Sequence, residues 1–166
     1  VYWALAQGLA AGKWPVNGAE MVTGGSPRYR LYATGDGKVL AAAPLEERFW
    51  RNFCDAIGLE EDLRSGQADQ GAVASRVEAI IRGEPATEWA ERLGSIDCCC
   101  AIVASVQEAL AHPHFQARGM WERRVTGPGS HESIALPVPL DRAFRTGNVV
   151  AAAPILGADT DTYLAR

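Results

Sequence analysis

Residues 29–34 and 38–43 are two short stretches rich in aromatic and aliphatic side chains, and they flank Gly35-Asp36-Gly37. No other signal in the chain leaves fewer conformations open. Glycine adopts positive φ at no steric cost and aspartate bonds nearby turn backbone, so the tripeptide reverses the chain tightly. The flanking residues favour pleated pairing, and the whole reads as a β-hairpin. Pro44 ends the second strand because it has no N–H to give a ladder. A two-stranded hairpin is marginal alone in water, so one of its faces must meet apolar partners.

The partners follow directly. Phe49, Trp50, Phe53, Cys54 and Ile57 recur at helical spacing over 46–57, with Gly58 as a C-terminal stop. Val73, Val77, Ile80 and Ile81 repeat the pattern over 71–82, ended by Gly83 and Pro85. A third, shorter helix is expected with Thr87 as its cap, Trp89, Ala90 and Leu93 as its apolar stripe and Gly94 as its end. Residues 98–103 are six apolar residues in a row, the pattern of a strand buried on both faces. Ser105 and Glu108 form a capping box that opens a helix to about Ala111, broken by His112-Pro113-His114. Residues 120–125 and 131–136 read as strands around the turn at 126–130.

Both ends differ from this middle. An apolar helix is expected up to Gly12, followed by a loop over 14–25 marked by Pro15, Gly18 and Gly24. Beyond Pro137 and Pro139 periodicity fades, which predicts an extended arm that needs another surface to pack on. The fold class is α+β: a small antiparallel or mixed sheet built from 29–34, 38–43 and 98–103, with helices packed on one face. The segment 120–136 extends that sheet or stands beside it. The expected organisation is a linker helix and loop over 1–25, a small domain over 26–139 and an arm over 140–166.

Composition narrows function by exclusion. The chain has 166 residues, 48% hydrophobic and 22% charged, enough for one folded domain and far from the signature of disorder. Sixteen basic against twenty acidic residues leave a net charge of −4, the wrong sign for a nucleic-acid surface and a poor field for holding several phosphates. No apolar run reaches the ~20 residues that span a bilayer. The apolar start has no preceding positive region and Lys13 follows it, so it does not read as a signal peptide. The first residue is Val1, compatible with processing or with a piece cut from a longer chain. Three of the four cysteines are consecutive, Cys98, Cys99 and Cys100. On a strand they alternate faces and do not converge on one metal, and adjacent cysteines make poor disulfides. They read, with Cys54, as reduced and buried small hydrophobes, which implies a cytoplasmic location.

No local motif completes an active site: a GxSxG elbow, a Walker A loop, HExxH and a helix-opening GxGxxG are all missing. His112 and His114 flank a proline with no Cys, Asp or Glu at ligand spacing, so no metal site is expected. His131 reads as a solvated turn residue. Gly24-Gly25 reads as a connector or as a loop that approaches a ligand. Glu46 and Glu47 suit the positive end of a helix dipole, a sufficient reason for carboxylates at a helix start.

The order of these signals resembles one family. Gly24-Gly25-Ser26-Pro27-Arg28-Tyr29, Tyr32, Asp36-Gly37-Lys38, the alanine-rich strand to Leu45-Glu46 and Phe49-Trp50 come first. Thr87-Glu88-Trp89, Asp97-Cys98, Glu108-Ala109-Leu110, His112-Pro113-His114, Arg118-Gly119, Leu136-Pro137-Val138-Pro139 and Ala153-Pro154-Ile155-Leu156-Gly157 follow in register. Together they are similar to the C-terminal part of the CaiB/BaiF enzymes, the family III CoA-transferases, which include the α-methylacyl-CoA racemases.

The resemblance implies a small domain with its linker and tail, taken from a longer two-domain enzyme whose subunits interlock as a homodimer. The substrates it implies are a coenzyme A thioester and a carboxylic acid, with no prosthetic group. The aspartate that carries the acyl group belongs to the family's N-terminal part, so the chain alone is expected to be inactive. Glu46 matches a racemase-branch glutamate that helps move the proton α to the thioester, which tips the choice slightly toward that branch. Tyr29 matches an aromatic of the acyl pocket, and Gly24 and Gly25 a loop facing the site. The alternative is a stand-alone structural or binding domain without chemistry.

Overall fold

The computed structural model describes residues 2–135, 141–144 and 151–165. The chain divides into two compact units, Val1–Val103 and Ala104–Arg166. The first opens with helix α1 (Tyr2–Ala11) and a loop, then forms the hairpin of β1 (Arg30–Ala33) and β2 (Val39–Ala42). Helices α2 (Glu47–Ile57), α3 (Gln70–Arg82) and α4 (Ala86–Gly94) follow, and β3 (Cys100–Ile102) returns to the sheet. All pairing is antiparallel in the order β1-β2-β3, with Tyr32 opposite Leu40 and Leu40 opposite Ile102.

That register puts Tyr32, Leu40 and Ala42 on the face covered by helices. Trp50, Phe53, Cys54 and Ile57 of α2, Val73, Val77 and Ile81 of α3, and Trp89 and Leu93 of α4 complete the core. Each large side chain taken from water in this way contributes about 1.5–3 kcal/mol. The buried polar atoms of these rings are satisfied. Tyr32 donates its hydroxyl to the Pro27 carbonyl at 2.8 Å, Trp50 its indole N–H to Arg64 at 2.9 Å, and Trp89 to Ile81 at 2.9 Å. Helix α2 ends in a Schellman turn: Gly58 has φ 71° and the Leu59 N–H reaches the Cys54 carbonyl at 2.9 Å.

Three local expectations change. The run 98–103 is not a strand buried on both faces: only Cys100–Ile102 is extended, and it lies at the sheet edge with Ala101 and Val103 exposed, because helices cover one face alone. Cys99 is exposed rather than buried. Thr87 is not the cap of α4; Pro85 occupies the N-cap position and offers no side-chain bond.

The second unit contains α5 (Val106–Ala111), α6 (Pro113–Ala117), β4 (Arg124–Thr126), β5 (Glu132–Ile134), β6 (Ala151–Ala152) and α7 (Thr160–Leu164). The Ser105–Glu108 capping box forms in both directions. His112-Pro113 does not simply break a helix; Pro113 is the first residue of α6, where its missing N–H costs nothing and the His112 ring accepts from the His114 N–H at 3.2 Å. Strand β4 pairs antiparallel with β5 and parallel with β6, a separate mixed sheet in the order β5-β4-β6. In the tail Ile155, Leu156, Tyr163 and Leu164 are exposed. The motif Leu136-Pro137-Val138-Pro139 lies outside the described residues.

Candidate functional site

The loop before the hairpin is built around Glu20. Its carboxylate accepts from the Gln7 side chain of α1 at 2.6 Å and from the Val16 N–H at 3.2 Å, and its own N–H donates to the Thr23 hydroxyl at 3.0 Å. These bonds, Gln7 first, hold its pKa below the usual carboxylate range. The Glu20 carbonyl accepts from Gly25 at 2.9 Å and closes the loop. A second turn follows, in which Tyr29 donates its N–H to the Ser26 carbonyl at 3.1 Å.

Between the loop and the hairpin lies a cavity of about 350 Å³, lined by residues 22–24, 29–31 and 41–43. Three alanines on β2 and its continuation leave the space, and Val22, Tyr29 and Leu31 form its apolar walls. Arg30 is the one charged residue in the lining, and no carboxylate or histidine belongs to it. Such a site takes an apolar group by burial and holds no acid or base to transform it.

Of the residues singled out from sequence, Gly24 and Tyr29 line this cavity. Gly24 has φ 110°, a conformation that side-chain-bearing residues rarely adopt. Gly25 does not line it. It lies against the loop backbone, where a Cβ would stand 2.0 Å from the Ala19 carbonyl oxygen. Glu46 is exposed at the N-cap of α2, extended at φ −74° and ψ 144°, with no side-chain capping bond, and is outside the lining. It is joined to the cavity by chain: Ala43, Pro44 and Leu45 separate the lining strand from it.

Arg28 carries a positioning role that sequence patterning did not suggest. Its guanidinium lies 4.8 Å from the Trp50 ring centre, donates to the Leu45 carbonyl at 3.4 Å and pairs with Glu47 at 2.9 Å. It therefore clasps the residues on either side of Glu46. Leu31 and the alanines fall in or beside the hairpin strands expected over 29–34 and 38–43, whereas Arg28 acts through residues 17 and 19 positions away, beyond any local pattern. Among the described residues no cluster of three His, Cys, Asp or Glu side chains is arranged to hold a metal, and no helix is long and apolar enough to cross a membrane.

Comparisons with known proteins agree with the sequence pattern. The model of CoA-transferase family III matches residues 1–160. The chain is similar to the alpha-methylacyl-CoA racemase of Mus musculus, 30% identical over 104 residues, 61% of this chain and 27% of the relative. It is similar also to that of Homo sapiens, 27% identical over 105 residues, 61% and 28% respectively. The chain thus spans just over a quarter of the length of these curated relatives. A crystal structure of a point mutant of Rv3272 from Mycobacterium tuberculosis superposes with a TM-score of 0.59 at 20% identity, over 99% of this chain and 51% of that one. The orthorhombic form of Rv3272 gives 0.56 at 16% identity, over 95% and 50%, so the fold is shared. With a family model matched along nearly its whole length, the chain belongs to CoA-transferase family III.

Proposed function

We propose that this chain supplies the small domain and connecting arms of an acyl-CoA enzyme that moves CoA between an acyl-CoA and a carboxylic acid or racemises an α-methylacyl-CoA. The observation that carries this reading is the apolar cavity between the Gly24 loop and the alanine-rich strand that leads to Glu46. In this reading Tyr29 and the alanines receive the acyl chain, the Gly24-Gly25 loop lies over the thioester, and Glu46 acts as one proton-transfer group. Racemisation needs acid/base groups on both faces of the α-carbon, and this chain offers one candidate. The second group, the acyl-carrying aspartate and most of the phosphate-binding surface belong to a large domain of the same enzyme, assembled as an interlocked homodimer in the cytoplasm. The substrate is the coenzyme A thioester itself, and no prosthetic group is required.

The test uses the full-length enzyme with Glu46→Gln. Exchange of the substrate α-hydrogen with deuterated water is expected to fall by about 10²–10⁴-fold. Unchanged exchange in a folded variant refutes the role of Glu46. The chain by itself is expected to give no turnover with acyl-CoA donors and carboxylate acceptors, and transfer above background would overturn the division of labour.

A further inference from the structure

The cavity beside the Gly24 loop has a direction, set by strand register. On the face of the sheet that the helices leave uncovered, Leu31 lies opposite Ala41, and Ala41 lies opposite Ala101 of β3. The same antiparallel register, carried past the strand ends, sets Tyr29 against Ala43. Both rows line the cavity, with the alanines as its floor and Tyr29 and Leu31 beside them. They are two residues apart, about 7 Å along the strand. Ala43 belongs to the row nearer Glu46 along the chain, and Ala41 to the row farther from it. The next row on this face, Ala33 opposite Val39, is outside the lining.

Arg30 and Ala42 lie between the two rows and also border the cavity. Alternation turns their side chains to the opposite face, where Ala42 is 4% exposed and belongs to the core beneath the helices. They border the cavity through backbone, so the Arg30 guanidinium does not stand over the alanine floor. No charged side chain is left to meet a ligand there. A carboxylate buried against this floor would lose its water and gain no partner.

The geometry points to the class of acyl group, an inference that rests on the acyl-CoA reading: an uncharged, medium-length chain runs back along β2 from the Ala43 row to the Ala41 row, and Ala41 sets how long a chain fits. A short acyl group ends over Ala43. Each further methylene lies over Ala41 and leaves water, which favours the longer chain. A larger side chain at position 41 fills that end of the cavity while the Ala43 row stays open. Length is therefore read at one position, and charge is rejected because the floor offers no counter-ion.

The experiment measures kcat/KM of the full-length enzyme, by CoA transfer or by α-hydrogen exchange, with butyryl-CoA, octanoyl-CoA and succinyl-CoA. Succinyl has the four carbons of butyryl and adds a carboxylate. The wild type is expected to prefer octanoyl-CoA to butyryl-CoA, and butyryl-CoA to succinyl-CoA. Ala41→Leu is expected to lower the octanoyl-to-butyryl ratio by about 10–200-fold. Ala41→Val, a residue that suits a strand, is expected to lower it less. Ala43→Leu is expected to depress both substrates, because both chains cross that row. Ala101→Leu makes the same change on the neighbouring strand, at an exposed position outside the lining, and is expected to leave the ratio unmoved. Turnover with an unmoved ratio in both Ala41 variants would overturn the proposal alone, as would an equal shift in Ala101→Leu or a wild-type preference for succinyl-CoA over butyryl-CoA. Absence of turnover with all three thioesters in the wild type would overturn the acyl-CoA reading and this proposal with it.

Discussion

The Asp36 carboxylate, at the tip of the β1–β2 hairpin, accepts a hydrogen bond at 3.1 Å from the N–H of Ala86, fifty residues on and the first residue of α4. It accepts another from the buried Thr34 hydroxyl, and Gly35 beside it donates to the Glu84 carbonyl at 2.8 Å. A helix start with a proline at its N-cap lacks a side-chain acceptor of its own, and the hairpin supplies one. Gly35 permits the approach, because a Cβ there would stand 2.9 Å from the Arg82 carbonyl oxygen. One turn thus reverses the strand and docks it on the helical layer.

Asp36→Ala is expected to lower the melting temperature, and Asp36→Asn to lower it less, since the amide oxygen still accepts from Ala86. The bond from Thr34 leads the effects that hold the Asp36 pKa below its ordinary value. A depressed folded-state value means the contribution is fully present above the unfolded carboxylate value of about 3.9 and is lost as pH falls through the folded one. Melting curves from about pH 6 to about pH 2 check the sign. The asparagine variant is expected to show a flatter acid limb than the wild type, and a limb of equal steepness would remove Asp36 from the account.

What was legible from the sequence was local. The hairpin, the stripes of α2 and α3, and the Ser105–Glu108 box each depend on residues within a turn or two, where periodicity and capping chemistry act. What was not legible depends on which surfaces the fold covers. Nothing in six consecutive apolar residues says that Ala101 and Val103 face outward, or that Cys99 turns left-handed. The acceptor for α4 came from Asp36 rather than Thr87 for the same reason. At the candidate site, Gly24 stood out as a loop signal and Tyr29 through the family resemblance, whereas the contact of Gly25 with the Ala19 backbone and those of Arg28 join residues apart in sequence.

Gly25→Ala tests the packing of the loop that carries Gly24. The added methyl meets the carbonyl oxygen of Ala19 at 2.0 Å and its carbon at 2.2 Å, both backbone, so the loop must shift. Urea denaturation is expected to show a loss of about 1–3 kcal/mol. Gly66→Ala is the matched control, with nothing within 4 Å of its new Cβ, and its effect is expected to stay within about 0.5 kcal/mol.

Trp89→Phe separates a hydrogen bond from bulk. The indole is 1% exposed and donates to the Ile81 carbonyl, tying α4 to the end of α3, while Arg92 stacks at 4.6 Å and can stack on phenylalanine as well. Loss of the bond together with a modest loss of volume is expected to cost about 2 kcal/mol in chemical denaturation, against about 3–5 kcal/mol for Trp89→Ala. Equal costs for the two variants would mean that the bond, and not the packing, dominates.

Arg28 and Glu47 call for a double-mutant cycle, because the ion pair between them is the most visible contact and not the strongest. The Arg28 side chain is 18% exposed, Glu47 is 65% exposed, and an ion pair open to water on one side is screened to well under 1 kcal/mol. The stacking on Trp50 and the bond to the Leu45 carbonyl are more sheltered and survive loss of Glu47. Glu47→Gln is therefore expected to cost less than about 0.5 kcal/mol and Arg28→Met about 1–2 kcal/mol, with a coupling no larger than the Glu47 effect. Arg28→Met is also expected to speed amide exchange at Leu45 and Glu47, the neighbours of Glu46. Equal costs for the two single variants would make the ion pair, rather than the stacked guanidinium, the clasp at the start of α2.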